Sequence, residues 1–267
     1  MSSADSPLTR AQTAHIRELI RDKHAREADG VFVIEGAKAV RDLLAHHPSL
    51  VRSVVTTPGY REREQPRDRR LRVAAACLSY SCPERVFAGL SDLNTTQGIL
   101  AIAVRPEWNE AEMLDRPTLF GIYGEGIQDP LNVGTIIRTA AALGVSALWL
   151  TPDSADRYHP KVVRATSGGL LCLPVFVTGS ASPLVRRGCC LFAAEVGGPD
   201  VVDLDKIEHV PPRLILAVGS EGQGLSEETK TLAIRRVTIP LSRRMESLNV
   251  ASTVAIAAHV LQRLPKQ

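Results

Sequence analysis

A polar pair at the start of one helical segment offers the first chemistry in this sequence. Asn132 and Arg138 stand six residues apart in GIQDPLNVGTIIRTAAALG, directly after an apolar run at residues 118–124 that predicts a strand. Asn132 is a plausible helix cap, and the free N–H groups of a helix start favour anions. The segment therefore suits a phosphate or a carboxylate, while a solvent-exposed arginine is the plainer interpretation of Arg138.

A glycine-rich loop follows a second apolar strand, in LILAVGSEGQGLSEE. Gly219, Gly222 and Gly224 stand close together with Glu221 between them, which predicts sharp turning or close approach of the backbone to a ligand. The GxxGxG order and the late position argue against a dinucleotide fold, and the sequence has no GxxxxGK[ST] phosphate loop. A glutamate in the loop favours a ligand with a cationic or hydrogen-bond-donating end.

The third segment, VTIPLSRRMESLNVAS, leads from a predicted strand at residues 235–241 into an apolar helix. The carbonyl groups of Ile239 and Leu241, at the end of that strand, could meet a flat ring with polar edges. Apolar residues cover nearly the whole circumference of the helix, so protein must cover it. It is either a capped core helix or a helix whose mouth holds a ligand. That mouth is formed by Ser247, Leu248 and Asn249.

Composition limits the classes of protein that this chain can belong to. At 267 residues and 44% hydrophobic content, it exceeds one typical domain and can bury a substantial core. There is no run of about 18 apolar residues and no apolar signal-peptide core, so we expect a cytoplasmic protein without a membrane segment. The five cysteines lack CxxC spacing and the histidines are scattered. These patterns argue against a disulfide framework and a metal site.

Charge is distributed unevenly, although the net charge is only +3. Residues 61–72, REREQPRDRRLR, contain six arginines, and the first helical segment, HIRELIRDKHAR, contains more basic residues. A solvated charged loop is the simpler interpretation. A phosphate-contacting surface is the alternative, because the guanidinium fork matches phosphate oxygens.

Apolar strands alternate with helical segments along the chain in two blocks. Residues 1–105 form the first, with strands such as VFVIEG and GILAIAV. Residues 106–117 are polar, bracketed by prolines and without a clear period, which predicts a linker. In residues 118–267 stronger apolar strands predict a largely parallel sheet covered on both faces. Ligands of such sheets bind at the carboxyl ends of the strands, where the three polar segments fall.

Together the three segments resemble the motifs of the SpoU (TrmH-like) branch of the SPOUT RNA methyltransferases. NxGxxxR stands at Asn132–Arg138, GSExxG at Gly219–Gly224 and IPLxxxxxSLNVxxxxxI at Ile239–Ile256, in the family's order. This resemblance extends over residues 118–264. In the first block, FVIEGAKAVRDLL and TQGILAIA are similar to the substrate-binding domain of that family, which has an L30e/L7Ae-like fold.

The resemblance implies an architecture and an activity. A smaller L30e/L7Ae-like α/β domain at residues 1–105 would bind RNA, and residues 118–267 would form a SPOUT-type parallel sheet with a C-terminal trefoil knot. The cofactor would be S-adenosylmethionine, with no metal, and the final helix would help to form a homodimer. The reaction would be methyl transfer to a ribose 2′-hydroxyl of structured RNA, and 23S ribosomal RNA is the substrate that we expect first.

The resemblance also implies roles for individual residues. Arg138 would act on the ribose hydroxyl, as a base or by stabilising negative charge; both roles stay open, because a guanidinium is effectively always protonated. Glu221 and Asn249 would complete the catalytic set by bracing Arg138 and the glycine loop. The expected RNA contacts are Asn132, Lys161 and Arg164. The expected cofactor contacts are Ala194, Gly219, Ser220, Glu221, Gly222, Ile239, Leu241, Ser247, Leu248 and Asn249.

Other functions remain alternatives on the sequence alone. The substrate could be transfer RNA, or the enzyme could methylate a base nitrogen, although the arginine in the first motif argues against that reaction. A catalytically silent RNA-binding or assembly protein of the same fold is a different class of alternative. A nicotinamide-dependent enzyme is disfavoured by the glycine spacing. The target nucleotide, and whether its methylation is housekeeping or confers antibiotic resistance, cannot be read from the sequence.

Overall fold

The structure is a computed structural model that describes residues 6–64, 78–91, 93, 95–198, 200–242 and 247–267. The chain divides into two compact units. The first consists of Met1–Glu107 and Tyr158–Leu171, and the second of Trp108–Arg157 and Cys172–Gln267. A short segment from the middle of the chain therefore belongs to the N-terminal unit.

Helices and strands alternate along the described chain, as the sequence predicts. Up to residue 107 they are β1 (Ser6–Pro7), α1 (Arg10–Arg21), α2 (Lys23–Asp29), β2 (Val31–Glu35), α3 (Ala37–His46), β3 (Val51–Thr56), α4 (Pro58–Glu64), β4 (Leu78–Ser81), α5 (Glu84–Ala88) and β5 (Ile99–Val104). They continue with α6 (Glu110–Leu114), β6 (Leu119–Glu125), α7 (Pro130–Leu143), β7 (Ala147–Leu150), α8 (Pro160–Thr166), β8 (Val175–Val177), α9 (Ser182–Arg186), β9 (Cys190–Ala194), β10 (Val201–Asp203), β11 (Arg213–Gly219), α10 (Glu227–Leu232), β12 (Arg235–Thr238) and α11 (Val250–Leu261).

The first unit is built on a mixed sheet. In the described part of the chain its strands lie in the order β1-β4-β3-β5-β2. β5 is antiparallel to both of its neighbours, whereas β4 is parallel to β1 and β3. Nearly all residues of β5 and of β2, the last strand in this order, are shielded from solvent, so their apolar runs belong to the core of this unit. The strand predicted at LRVAAA, and most of the arginine segment 61–72, lie outside the described residues.

The basic N-terminal segment forms two helices where one was predicted. Asp22 has an extended backbone conformation between α1 and α2, and its carboxylate accepts a hydrogen bond from the backbone N–H of His24 at 2.8 Å. An aspartate that caps a helix can break the helix while the spacing of apolar residues continues unchanged. Periodicity therefore predicts one helix here.

The segment Tyr158–Leu171 packs within the first unit through aromatic and apolar contacts. The ring of Tyr158 lies 5.0 Å from that of Phe32, between centroids, and the guanidinium of Arg105 lies 4.4 Å from the Tyr158 centroid. In α8, Val162 and Val163 are buried, and the helix packs on β2. Periodicity cannot predict that this segment belongs to the first unit, because the pattern of α8 is that of any helix that follows a strand.

The second unit is built on a parallel sheet, which confirms the prediction of a largely parallel sheet. Its described strands lie in the order β10-β12-β9-β11-β6-β7-β8. Gly121 in β6 allows close packing in this core, since an added Cβ would come within 2.6 Å of the Trp149 ring. Within the described ranges, no helix has the length and apolar character needed to cross a membrane.

Residues 106–117, predicted as a linker, contain the short helix α6. Met113 and Leu114 are buried in the core of the second unit, and Glu110 accepts a 2.7 Å hydrogen bond from the indole N–H of Trp149. Asn109 caps the helix by accepting from the backbone N–H of Glu112. The difference arises because two apolar residues in a single turn bury α6 without giving it a helical period.

Candidate functional site

The three sequence motifs come together at the carboxyl ends of strands in the second unit. A cavity of about 240 Å³ lies over the ends of β9, β11 and β12 and against the first turns of α11. Its wall is mostly apolar, with polar groups near the strand ends. Eight of the ten predicted cofactor contacts line it, namely Ala194, Gly219, Ser220, Glu221, Ile239, Leu241, Ser247 and Leu248.

The glycine loop folds back against the strand that precedes it. A Cβ added at Gly219 would lie 2.0 Å from the carbonyl carbon of Gly224, so this position requires glycine. The backbone N–H of Gly224, whose φ is +67°, donates to the Ser220 carbonyl at 2.9 Å. Gly222 differs, because an added Cβ would meet no atom of the described residues within 4 Å. The loop is therefore a tight turn that presents its backbone and the Glu221 side chain.

A hydrogen-bonded network joins one residue from each motif. The Asn249 side-chain N–H₂ donates to Glu221 Oε1 at 2.7 Å and to Asn132 Oδ1 at 2.8 Å. The Asn132 N–H₂ donates to the same Glu221 oxygen at 3.2 Å. Two amides thus hold one carboxylate in a fixed position, since both hydrogen bonds to it are charge-assisted.

The cap of α7 differs from the expected one, and this difference leaves Asn132 available for the network. Asp129, not Asn132, caps α7 by accepting from the Leu131 N–H at 2.9 Å, and Pro130 occupies the first helical position. Asn249, one of the three residues of the predicted helix mouth, caps α11, because its Oδ1 accepts from the backbone N–H groups of Ala251 and Ser252. Asn132 can therefore contact the other motifs. Asn249 caps α11 with its Oδ1 and binds the other motifs with its N–H₂ group.

A second cavity, of about 320 Å³, lies on the other side of the glycine loop. It shares Ser220, Glu221 and Val250 with the first cavity, so these residues form a common wall. Asn132 and Gly222 line only the second cavity. Gly222 therefore belongs to this neighbouring space and not to the cavity in which a cofactor contact was predicted.

Arg138 stands apart from both cavities. It lies six residues after Asn132 on α7, about 120° away around the helix, and its side chain is exposed. Glu221 and Asn249, which were expected to brace Arg138, contact Asn132. Among the described residues, Arg138 has no hydrogen bond or ion pair. The reason is the helix period, which turns an i+6 side chain away from the network.

The remaining two predicted RNA contacts belong to the first unit. Lys161 is exposed near the start of α8. Arg164 is half-buried, and its Nη1 lies 3.9 Å from an oxygen of Glu35, which also accepts a hydrogen bond from Ser91. Arg164 therefore has a structural partner, and Lys161 is the one of the two that is turned toward solvent.

Two charged residues in the first cavity were missed by sequence reasoning. Glu195 follows the predicted Ala194 directly at the end of β9, and Lys230 comes from α10. Hydrogen bonding to Glu227, at 2.8 Å, raises the pKa of Lys230, so it stays protonated near neutral pH. The position of Glu195 at a strand end was a usable signal, since ligands bind there. Nothing in the helical pattern distinguished Lys230.

Tyr123, in β6, lines neither cavity and does not supply a base. Burial in the sheet, with the neighbouring Glu125 as the next cause, raises the pKa of Tyr123 to about 12, so its hydroxyl stays protonated. Within the residues that the structure describes, no group of three or more His, Cys, Asp or Glu side chains could hold a metal ion. The site therefore offers a fixed carboxylate, amides, a lysine and backbone groups.

Three motif loops at one edge of a parallel sheet are the arrangement expected of a SPOUT methyltransferase. The model of the SpoU rRNA Methylase family matches residues 120–259, and that of the MRM3-like substrate binding domain matches residues 14–101. The chain belongs to the SpoU rRNA methylase family, which confirms the resemblance seen in its motifs.

Individual relatives agree with this assignment over nearly the full chain. An uncharacterized tRNA/rRNA methyltransferase of Synechocystis sp. is 31% identical over 98% of this chain and 93% of its own length. The 23S rRNA (guanosine(2553)-2′-O)-methyltransferase RlmP of Bacillus subtilis is 28% identical, covering 91% and 93% respectively. The AdoMet-bound rRNA methyltransferase of Sinorhizobium meliloti superposes with a TM-score of 0.79, at 26% identity, over 97% of this chain and 96% of that one.

Proposed function

We propose that this protein transfers a methyl group from S-adenosylmethionine to a ribose 2′-hydroxyl of ribosomal RNA, and specifically of 23S rRNA. The observation that carries the proposal is the common wall of two cavities, built from the glycine loop and held by the Asn132–Glu221–Asn249 network. One cavity then takes the methyl donor and the other the acceptor nucleotide. The names of the relatives support the choice of RNA and of the 2′-hydroxyl.

The residues of the first cavity fit the proposed cofactor. Leu225, Ile239 and Leu248 provide an apolar wall for a flat base, and the strand ends provide backbone donors and acceptors for its edges. The carboxylate of Glu221 suits a ligand that carries a sulfonium and an ammonium group. When bound, S-adenosylmethionine supplies a methyl group that is activated for transfer. The protein's part is to bind and orient it.

The network sets the line of transfer between the cavities. Glu221, Asn132 and Asn249 come from three different motif segments, so their hydrogen bonds fix the relative positions of the segments. In a two-substrate transfer, holding the reacting atoms in line in a water-poor site is a large part of the rate enhancement. We assign to Arg138 the stabilisation of charge that develops on the attacking ribose oxygen, or contact with the neighbouring phosphate.

The proposal includes a homodimer formed through α7 and α11. These helices pack on each other, and each presents an exposed stripe with a large apolar residue, Leu131 at 60% and Ile256 at 41% exposure. Arg138 lies on the α7 stripe, outside both cavities of its own protomer. In an isologous dimer the same stripe of each copy meets the other. We therefore assign Arg138 to the site of the second copy.

Three further features belong to the proposal. Residues 1–105 would bind the RNA, in line with the substrate-binding model that matches residues 14–101. The C-terminal part of the second unit would form the trefoil knot of the family. The protein would act in the cytoplasm, where its RNA substrate is found. Transfer RNA remains an outcome that a comparison of cellular RNA can return.

That comparison of cellular RNA tests the proposal. Ribosomal and transfer RNA from a strain that lacks this gene, and from the parent strain, are digested and mapped for ribose methylation by mass spectrometry. We expect one 2′-O-methyl group of 23S rRNA to disappear and to return when the gene is restored. Loss of a transfer RNA methylation would redirect the substrate. An unchanged pattern in both RNA classes, or loss of a base methylation, would overturn the proposal.

A further inference from the structure

We infer that Glu195 binds the ribose hydroxyls of the methyl donor and thereby makes the cavity selective for a ribonucleoside cofactor. The inference rests on the proposed function, because it assigns a residue within the proposed cofactor site. Neither the family motifs nor the predicted contacts include Glu195. It carries the only carboxylate that the β9 strand end places in that cavity, as far as the described residues extend.

The position of Glu195 in the sheet brings it beside the adenosine-binding residues. β9 lies between β11 and β12, and its register pairs Ala193 with Ala217 on one side and Ala194 with Val237 on the other. Continuing the first pairing by two residues brings Glu195 level with Gly219. On the other side the Glu195 N–H donates to the Val237 carbonyl at 2.9 Å. Glu195 thus stands between the two strand ends from which adenosine contacts are expected.

The surroundings of Glu195 hold its carboxylate in place. The side chain is 17% exposed, and its Oε1 is fully buried, 3.5 Å from Nε of Arg236. Lys230 lines the same cavity and carries a positive charge. Arg236 holds Oε1 from the side away from the cavity, because Arg236 does not line the cavity and Oε1 is buried. The accessible part of the carboxylate, with Oε2, is therefore the acceptor that a ligand hydroxyl in the cavity can reach.

Among the hydrogen-bond donors of adenosine, the ribose hydroxyls are the best partners for the Glu195 carboxylate. Its hydrogen-bond donors are the 2′- and 3′-hydroxyls and the amino group of adenine. The carbonyl groups of Ile239 and Leu241, which line the cavity beyond β12, suit the edge of the base. A carboxylate suits two neighbouring hydroxyls, and an acidic residue at a strand end plays this part in dinucleotide-binding folds. The ammonium group of the donor is a different partner, which a ligand without that group distinguishes.

The test measures binding of S-adenosylhomocysteine and of its 2′-deoxy and 3′-deoxy analogues by calorimetry. For the wild-type protein we expect removal of at least one hydroxyl to weaken binding about 10-fold or more, as for a hydrogen bond to a charged group. For Glu195→Ala the parent compound should bind about 10-fold more weakly. The variant should then distinguish the deoxy analogues from the parent by less than threefold, roughly within the scatter of such measurements. The affinity of Glu195→Gln for S-adenosylhomocysteine should lie between those of wild type and Glu195→Ala, because Gln keeps the size of the side chain.

Controls separate this role from a structural one. Glu228→Ala removes an exposed carboxylate of α10 that does not line the cavity, and it should leave the whole affinity series unchanged. The wild-type measurements with the deoxy analogues need no variant, so a Glu195 variant that fails to fold does not block the test. Equal wild-type affinity for the parent and both analogues overturns the inference.

Two further results would also overturn the inference. One is a Glu195→Ala protein that loses discrimination against an analogue without the adenine amino group while it keeps discrimination against the deoxy analogues. The other is a variant effect that is present with S-adenosylhomocysteine but absent with 5′-methylthioadenosine, which lacks the ammonium group. Failure of the wild-type protein to bind S-adenosylhomocysteine at all would contradict the proposed function itself.

Discussion

Asn249 has two separable roles, and substitutions can divide them. Its Oδ1 caps α11, and its N–H₂ group holds Glu221 and Asn132. Asn249→Ala removes both, so the free energy of unfolding should fall by about 1 kcal/mol, the usual value of a helix cap, and cofactor affinity should fall with it. Asn249→Ser keeps a good cap but cannot bridge the other motifs. Urea unfolding should give a stability within about 0.5 kcal/mol of wild type for this variant.

Calorimetry and single-turnover methyl transfer complete the Asn249 comparison. Asn249→Ser should bind S-adenosylmethionine more weakly and transfer methyl more slowly than wild type, in spite of its retained stability. Wild-type transfer by Asn249→Ser would show that the network has no part in the reaction.

Gly219 and Gly222 form a matched pair within one loop. A Cβ at Gly219 would come within 2.1 Å of the Gly224 carbonyl oxygen, whereas one at Gly222 would meet no described atom within 4 Å. Gly219→Ala should therefore lower the free energy of unfolding by about 1–3 kcal/mol, as overpacking does. It should also distort the wall that both cavities share. Gly222→Ala should stay within about 0.5 kcal/mol of wild type.

Thermal denaturation with and without S-adenosylmethionine reads out both glycine variants. The cofactor should raise the melting temperature of Gly222→Ala as it does for wild type, and should raise that of Gly219→Ala less. An equal rise for the two variants would mean that the close approach of Gly219 to Gly224 does not shape the cofactor cavity.

On the scale of elements, Arg138 and the exposed face of α7 make the sharpest prediction. Arg138→Ala should bind S-adenosylmethionine normally and lose about 10²–10³ in single-turnover rate. Arg138→Lys should not restore it, because a point charge does not replace the planar fork. If Arg138 serves the second copy, mixing equal amounts of Arg138→Ala and Asn249→Ala should recover about a quarter of wild-type activity. About half of the dimers are then mixed, and one of the two sites in each mixed dimer has both residues intact.

The dimer itself is tested through Ile256. Ile256→Asp places a charge on the exposed stripe of α11, so light scattering should give a monomer near 28.9 kDa where wild type gives twice that mass. His259→Asp changes a polar residue of the same stripe and should weaken the dimer less. A monomeric wild-type protein would contradict the proposed dimer. If mixing the two variants restores no activity, Arg138 does not serve the site of the second copy.

Most elements and the motif residues of the site were predictable from the sequence, for identifiable reasons. The strands of the second unit are apolar on both faces, and their carboxyl ends carry glycine and polar residues that have no use in a core. What periodicity could not give was the choice of cap. At Asp129 and Asn249 the cap is decided by which side chain reaches a free N–H, a matter of one or two residues.

The features missed by the sequence depend on tertiary packing. The helix α6 is held by the burial of Met113 and Leu114 and by the hydrogen bond from Trp149. The helix α8 is held by its contacts with β2. The sequence pattern of neither helix indicates which element it packs on. Glu195 could have been found, because it follows a named strand-end residue. The network around Glu221 could not, since its partners lie 28 and 89 residues away along the chain.

At the scale of the whole molecule, RNA binding should depend on the basic surface of the first unit. Deleting residues 1–105 is a poor test, because Tyr158 and Leu170 of the second segment of that unit are buried within it. Replacing Arg10, Arg21 and Lys23 by Gln should keep the fold, because all three residues are exposed. The slope of log affinity against log salt should fall by about two to three, since each lost phosphate contact removes roughly 0.7–0.9.

Cofactor binding provides the control for this charge variant. Calorimetry should give wild-type affinity for S-adenosylmethionine, because the three residues lie in the other unit from the cavity. An unchanged salt slope for the variant would mean that this part of the first unit does not contact the phosphates.

The most direct test of the proposed activity uses the purified protein, S-adenosylmethionine with a labelled methyl group, and a 23S rRNA transcript that carries no modification. After the reaction, the RNA is digested to nucleosides and the labelled product is identified by mass spectrometry. We predict a single 2′-O-methylated nucleoside, formed by wild type and lost with Arg138→Ala. Label on a base, or no transfer to RNA by a protein that binds the cofactor, would contradict the assignment.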